Sequence, residues 1–294
     1  MSEELTLSDV TSIVLSCHES RYDSSLPPTA YNKILFLLNE DLKDTQGVDV
    51  EIPVFWYMHG PVVKTTDSNV TQAQTSGGQR IRCNQTENEI DAENYTISKV
   101  RGSAENILEI YYKKGTKGLI SKAYQFAPYE VGQVYRDLKR QLATEANSEQ
   151  TALGDFTGGN QSQVRDVVHD FVDSFPVTEF PEIEDDLHIW YRLVSAKLDA
   201  DEYDPEMIER LTKQFWRLFC LELACHENNG LSREDIETEL DGVTVSIAAE
   251  QDRHREYLQS KERTKASRNA TGSNLALKAS EAVILPHLDF DVRV

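Results

Sequence analysis

Apolar residues recur at helical spacing along most of this chain, and this periodicity limits the possible folds more than any other feature. The clearest stripe follows the Pro27-Pro28 breaker and consists of Tyr31, Ile34, Leu35, Leu38 and Leu42. Comparable stripes predict further helices at about 7–19, 104–113, 118–142 with a break at Pro128, 164–172, 187–198 and 208–219. The sequence therefore predicts a mostly helical fold.

Short β-like segments interrupt the helices in the first half of the chain. Residues 48–57 are rich in β-branched and aromatic side chains, and they lead into a turn at His59-Gly60 after which Pro61 is expected to begin a helix. The segments 79–84 and 94–98 are spaced as the two strands of a hairpin. Together these elements predict an α+β unit of winged-helix type with a short β-hairpin.

Composition changes along the chain predict four regions. Residues 1–143 form the α+β unit, and the Ser-, Gly- and Gln-rich run 144–163 is the expected linker. Residues 164–260 are predicted to form an acidic helical bundle. In the remaining region, 261–294, the polar stretch 261–273 is expected to be mobile and residues 282–292 to dock as an extended apolar strand.

Acidic side chains greatly outnumber basic ones. The 294 residues include 50 Asp and Glu against 30 Lys and Arg, and the formal net charge is -20. Residues 151–294 hold 29 acidic and 15 basic side chains, so most of the excess lies in the second half. This charge opposes non-specific attraction to nucleic acid. It suits either a protein of a halophile, kept dissolved in concentrated salt, or an ordinary acidic protein.

The cysteines and the first residues indicate a reduced, cytoplasmic protein. Cys17, Cys83, Cys220 and Cys225 lack the spacing of a disulfide framework, and the chain begins without the basic and apolar runs of a signal peptide. Its longest apolar stretches are far shorter than the roughly 20 residues that span a bilayer. The sequence therefore predicts no membrane partner.

One helix face carries side chains that could bind a divalent cation. Asp166, Asp170 and Asp173 recur at i, i+4 and i+7, and His169 lies one turn from two of them. Carboxylate and imidazole groups are common metal ligands. A metal-dependent phosphohydrolase is therefore one alternative function. A solvated acidic face opposite the valines of the same helix is the simpler interpretation.

Other catalytic chemistry has no supporting motif. Cys220 and Cys225 are five residues apart on a helix and point in different directions, which does not suit zinc. No serine lies in a nucleophile elbow, and no glycine-rich run has the spacing of a phosphate-binding loop. The sequence predicts no cofactor and no catalytic residue.

Residues 99–140 form a basic island, with nine Lys and Arg against four Asp and Glu. The candidate phosphate contacts within it are Lys113, Lys114, Lys117 and Lys122. A winged-helix nucleic-acid-binding regulator is therefore a second alternative function, although the net charge disfavours it. Pairing of the island with the chain's own acidic block at 166–206 is the simpler interpretation.

Two stretches separated by residues 43–49 carry a family resemblance. The first, LPPTAYNKILFLLNEDL, contains the run Lys33 to Leu37, and the second, VEIPVFWYMHGPVV, contains Trp56, Tyr57, Gly60 and Pro61. Together they resemble the Panacea or SocA-like antitoxin family, in which a helix with a K-L/I-L-x-L core precedes an aromatic-rich strand ending in Tyr-Gly-Pro. The chain departs from this pattern at His59 and in residues 62–76, where a long helix would be expected.

The resemblance implies a protein that neutralises a toxin by direct contact, without enzymatic activity. The first functional hypothesis is therefore an antitoxin-like or defence-associated module that binds another protein. The candidate contacts are Trp56, Tyr57, Gly60, Pro61, Leu285, Leu288 and Phe290. The last three belong to the apolar tail, which could add a strand to a partner's sheet. Packing in the core is the alternative for each candidate.

Overall fold

The computed structural model contains helices and two small antiparallel hairpins, so the predicted α+β, mostly helical class is confirmed. It describes residues 5–46, 48, 50–66, 68–75, 78–149, 159–198, 203–226, 230–240 and 246–284. The strands are β1 (Val54–Tyr57), β2 (Gly60–Val63), β3 (Val70–Thr75) and β4 (Gly78–Cys83). The helices are α1 (Leu7–Glu19), α2 (Pro28–Asp41), α3 (Asn94–Ile110), α4 (Thr116–Ala123), α5 (Val131–Glu149), α6 (Gly159–Asp173), α7 (Glu184–Leu198), α8 (Pro205–His226), α9 (Arg233–Glu239) and α10 (Ile247–Ile284).

The first two helices form where the sequence predicts them. A capping box begins α1, because the Asp9 backbone N–H donates to the Thr6 hydroxyl and the Thr6 N–H donates to the Asp9 carboxylate. Helix α2 begins at Pro28, whose missing N–H costs nothing in a first turn. The whole predicted stripe from Tyr31 to Leu42 is buried.

The strands differ from the prediction. Pro61 does not begin a helix: it lies in β2 opposite Trp56 of β1, because Gly60 adopts φ +95° and the chain reverses there. Strand β4 pairs with β3, so the predicted hairpin of 79–84 with 94–98 is wrong, and residues 94–98 instead begin α3. The winged-helix interpretation of this unit stays a prediction.

Helices α6 to α10 are hereafter called the helical half, and α6, α7 and α8 lie where the apolar stripes predict them. Asp204 caps α8, because its carboxylate accepts a hydrogen bond from the Met207 N–H at 2.9 Å. Parts of the predicted linker are helical, since α5 reaches Glu149 and α6 begins at Gly159. Residues 261–273 belong to α10, whose Lys, Glu, Arg and Ala favour helix, and the expected mobility of this segment stays a prediction. Residues 282–284 end that helix, and the tail residues Leu285, Leu288 and Phe290 lie outside the described part of the chain.

One hydrophobic cluster contains residues from both halves of the chain. Trp216 of α8 stacks on Tyr135 of α5 with ring centroids 4.0 Å apart, and its Nε1 donates to the Met58 carbonyl at 3.2 Å. Helix α8 thus packs directly on the turn that joins β1 to β2. Residues before and after the predicted linker therefore share one core.

Candidate functional site

The two stretches that carry the family resemblance lie side by side. The helical spacing of α2 directs Lys33 towards β2, where its Nζ donates to the Pro61 carbonyl oxygen at 2.9 Å. One turn along, the Phe36 ring meets Trp56 edge-on at 5.7 Å. Lys33 is only 2% exposed. A buried ammonium group therefore fastens the helix to the hairpin.

The turn between β1 and β2 favours glycine. Gly60 has φ +95°, a conformation that other residues rarely adopt, whereas a Cβ there would make only ordinary contacts, 3.4 Å from the Tyr124 ring and 3.5 Å from Trp56. The Met58 carbonyl in this turn accepts hydrogen bonds from both the Tyr124 hydroxyl and the Trp216 indole. Side chains from both halves of the chain therefore hold the turn in place.

The predicted contact residues in this motif are mostly internal. Trp56, Gly60 and Pro61 are buried, and Tyr57 is partly exposed. Burial favours the packing interpretation for the first three. Their position makes them the scaffold of the surfaces that surround the motif.

A cavity of about 480 Å³ opens beside this junction, between the β1–β2 hairpin and helices α2, α5, α8 and α10. Its cationic side chains are Lys33, Lys139, Lys213, Arg217 and Arg253, and its carboxylates are Glu209, Glu239 and Glu250. With His59 and His254 counted as neutral, five positive and three negative charges give the lining a formal charge of +2. The lining is therefore basic within a chain of net charge -20.

Two of the three carboxylates are already satisfied by neighbours. Glu239 accepts from the backbone N–H of Thr65 at 2.6 Å, and Glu250 pairs with Arg253 at 2.5 Å. By contrast, no carboxylate among the described residues lies within 4.0 Å of the side-chain nitrogens of the other four cations. Lys33, Lys139, Lys213 and Arg217 are hereafter called the cavity cations.

The pKa values of Lys33 and His59 reflect the burial and the positive charges at the cavity. Burial lowers the pKa of Lys33 to about 7. The pKa of His59 is lowered to about 4 by desolvation and by the positive charges of all four cavity cations. His59 is therefore neutral at pH 7 and lies where the fields of these cations add.

The cavity was not predicted from the sequence. Lys139 belongs to the basic island, but Lys213 and Arg217 lie in the acidic second half and were not among the candidate residues. Their i, i+4 spacing on one face of α8 is the only local signal. The convergence of α2, α5 and α8 is a property of the tertiary fold.

A smaller groove of about 190 Å³ lies further along α2, between that helix and the ends of α3 and α4. Its apolar side chains are Leu37, Ile107, Tyr111 and Phe126, and its charged ones are Glu40, Asp41, Asp44 and Lys122. The Phe126 ring, 36% exposed, contacts Phe36 edge-on and lies 4.9 Å from the Lys122 ammonium. The groove, hereafter the α2 groove, thus joins exposed apolar surface to three carboxylates.

The candidate phosphate contacts of the basic island lie close together in the sequence. The exposed Lys113, Lys114 and Lys117 share one short segment, 112–123, with the partly buried Lys122. Elsewhere in the basic island, Arg101 pairs with Glu87 and Arg140 pairs with Asp137 at 2.8 Å.

The proposed metal ligands lie on an exposed face of α6. Asp166, Asp170 and Asp173 are exposed, and His169 Nδ1 lies 3.4 Å from the Tyr191 hydroxyl. In the described part of the chain, no three His, Cys, Asp or Glu side chains converge as metal ligands would. This geometry favours the interpretation of a solvated acidic face.

Comparison with known proteins adds no family. No protein-family model, curated protein or solved structure matches this chain. Within the described residues, no helix is both long enough and apolar enough to cross a bilayer. The resemblance to the antitoxin family therefore stays a prediction drawn from residues 26–63.

Proposed function

We propose that this chain is a non-enzymatic, antitoxin-like module that binds another protein through the α2 groove. The observation that carries the proposal is the exposed ring of Phe126 in a groove edged by carboxylates. Aromatic side chains that stay accessible beside charged groups are typical of protein interfaces. Ile110, the last residue of α3 and the neighbour in sequence of the groove residue Tyr111, is also exposed.

The charges of the groove suggest what the partner presents. Glu40 and Asp44 are not involved in any ion pair among the described residues, and partial burial raises the pKa of Glu40. Two carboxylates beside an apolar floor suit a basic segment with at least one large apolar side chain. The partner expected here is therefore a protein with such a segment, and a toxin fits this description.

The Lys33–Pro61 bond supports the same function indirectly. It joins α2 to β2, and the Phe36 ring of α2 contacts both Trp56 and the groove residue Phe126. A preformed surface binds with a smaller entropic cost than a mobile one. The motif residues thus support the binding surface without themselves forming it.

Groove substitutions will weaken partner binding while matched substitutions elsewhere will not. We expect Phe126→Ala and Asp44→Lys each to reduce affinity by about tenfold or more, because truncated central aromatic residues and reversed charges cost the most at interfaces. The controls are Val177→Ala, with similar exposure, and Glu182→Lys, an exposed charge reversal between α6 and α7. These controls should stay within about twofold of the unmodified chain.

The measurement has two steps. The tagged full-length chain is used to capture its partner from native extract at high potassium, and the partner is identified by mass spectrometry. Calorimetry with the purified partner then gives the affinity of each variant. A chain that retains no protein in stoichiometric amount, or groove variants that bind as tightly as the controls, would contradict the proposal.

Nucleic-acid binding is a second candidate function, favoured by the grouping of exposed lysines in segment 112–123. In that case a gel shift will show affinity that falls steeply with salt, as phosphate contacts require. Lys113, Lys114 and Lys117 are replaced together with glutamine. The slope of log affinity against log salt concentration should then decrease by about the amount expected for three lost phosphate contacts. Weak binding that does not depend on salt would dismiss this function.

A further inference from the structure

We propose that the cavity between the β1–β2 hairpin and helices α2, α5, α8 and α10 binds a small molecule that carries a phosphate group. The site is separate from the α2 groove and independent of the proposed protein partner. Its volume of about 480 Å³ is that of an ordinary small-molecule site.

The cavity gathers cations that have no carboxylate partner among the described residues. Lys139, Lys213 and Arg217 reach the cavity from two different helices, although like charges repel and this chain has 50 carboxylates with which they could pair. Lys139 and Lys213 are exposed, so water screens part of this repulsion, and an anion in the cavity would reduce it further. A phosphate group, with up to two negative charges and several acceptor oxygens, is the best match for several such donors.

Lys33 brings a buried amino group to the wall of the cavity. Its side chain is 2% exposed, yet its one hydrogen-bond partner among the described residues is the Pro61 carbonyl oxygen. Without a counter-ion, burial lowers the pKa of Lys33 to about 7, so the side chain is only partly charged near neutral pH. Because Lys33 lines the cavity, an anion bound there would favour the ammonium form, whose three N–H groups need more acceptors than the Pro61 carbonyl alone.

The rest of the cavity wall combines polar side chains with apolar and aromatic ones. Neutral His59 can donate a hydrogen bond to an oxyanion among the cavity cations. Tyr57, Met58 and Tyr135 line the same cavity and offer apolar and aromatic surface. Exposed Glu209 also lines it, as do Glu239 and the Glu250–Arg253 pair beside His254. A phosphate attached to an organic body matches this wall better than a bare ion does.

The test is calorimetric titration of the full chain, exchanged into chloride buffer, with adenosine monophosphate, adenosine, inorganic phosphate and citrate. We expect the monophosphate to bind more tightly than either adenosine or inorganic phosphate, because it supplies both the anion and the organic body. Equal or tighter binding of citrate would overturn the assignment to phosphate. Binding of none of the four probes at millimolar concentration would overturn the site itself.

Paired variants separate a built site from general attraction. Lys139→Gln with Lys213→Gln removes two exposed cavity cations, and Lys113→Gln with Lys117→Gln removes two exposed lysines outside the cavity. We expect the first pair to weaken monophosphate binding by about tenfold or more and the second to leave it within about twofold. Equal losses in both pairs would mean attraction by net charge and would overturn the proposal.

Discussion

Replacing Lys33 with methionine will change how the stability of this chain depends on pH between about 7 and 10. In the folded chain burial lowers the pKa of Lys33 from 10.5 to about 7. Between these values the unfolded state holds a proton that the folded state has lost. The contribution of Lys33 to the free energy of unfolding therefore rises with pH across this window. The Lys33→Met variant lacks this contribution.

The expected effect is large because Lys33 is almost completely buried. With about 1.4 kcal/mol for each pKa unit, the unmodified chain gains several kcal/mol relative to the variant between pH 7 and pH 10. Near pH 7 the variant avoids burying the charge but leaves the Pro61 carbonyl without its donor, which costs about 1–3 kcal/mol. The difference between the two proteins should thus change with pH rather than stay constant.

Urea denaturation at pH 7, 8, 9 and 10 measures this difference directly. Tyrosines and cysteines with raised pKa values also titrate in this range, but they are common to both proteins and cancel in the comparison. Lys113→Met, at an exposed position, is the matched control and should follow the unmodified chain. A constant difference between the unmodified chain and Lys33→Met across this range would contradict a pKa near 7.

Removing the ring of Trp216 will destabilise both halves of the chain together. Trp216 is 2% exposed, stacks on Tyr135, and donates to the Met58 carbonyl. Truncation of such a side chain to alanine costs about 3–5 kcal/mol. Because the lost contacts connect α8 with the β1–β2 turn, residues 54–63 should open more readily as well.

Trp190→Ala is the matched control for this prediction. Trp190 is fully buried, but its ring packs on Phe171 and Phe215, both within the helical half. The two variants are compared under conditions that give them the same free energy of unfolding. Hydrogen exchange at residues 54–63 should then be faster in the Trp216 variant than in the Trp190 variant. Scanning calorimetry of the unmodified chain should show one transition. Two well-separated transitions would contradict the shared core.

The apolar stripes predicted the helices because burial on one face of a helix has a fixed period. Pro128 marked the break between α4 and α5 for an equally local reason, since proline cannot continue a helix. Pro61 misled the prediction because its fixed φ suits a first helical turn and a strand alike, and only the positive φ of Gly60 decides between them. Strand β3 was missed because its polar Thr and Gln side chains carry no apolar alternation.

The candidate sites were less predictable than the helices. Lys33 and Pro61 belong to two motifs that are separated by one short connection. Their closeness could therefore be expected from the sequence. The cavity cations come from three helices that are distant in sequence, so no local pattern reports their convergence. The α2 groove likewise depends on how the end of α4 places Phe126 against Phe36.

Hydrogen–deuterium exchange of the full chain, alone and with its captured partner, is the most direct test of binding through the α2 groove. The proposal predicts slower exchange at residues 37–44, 106–112 and 122–127 in the complex, with helices α6 and α7 unchanged. Protection confined to the helical half, with the groove segments exchanging as in the free chain, would contradict it.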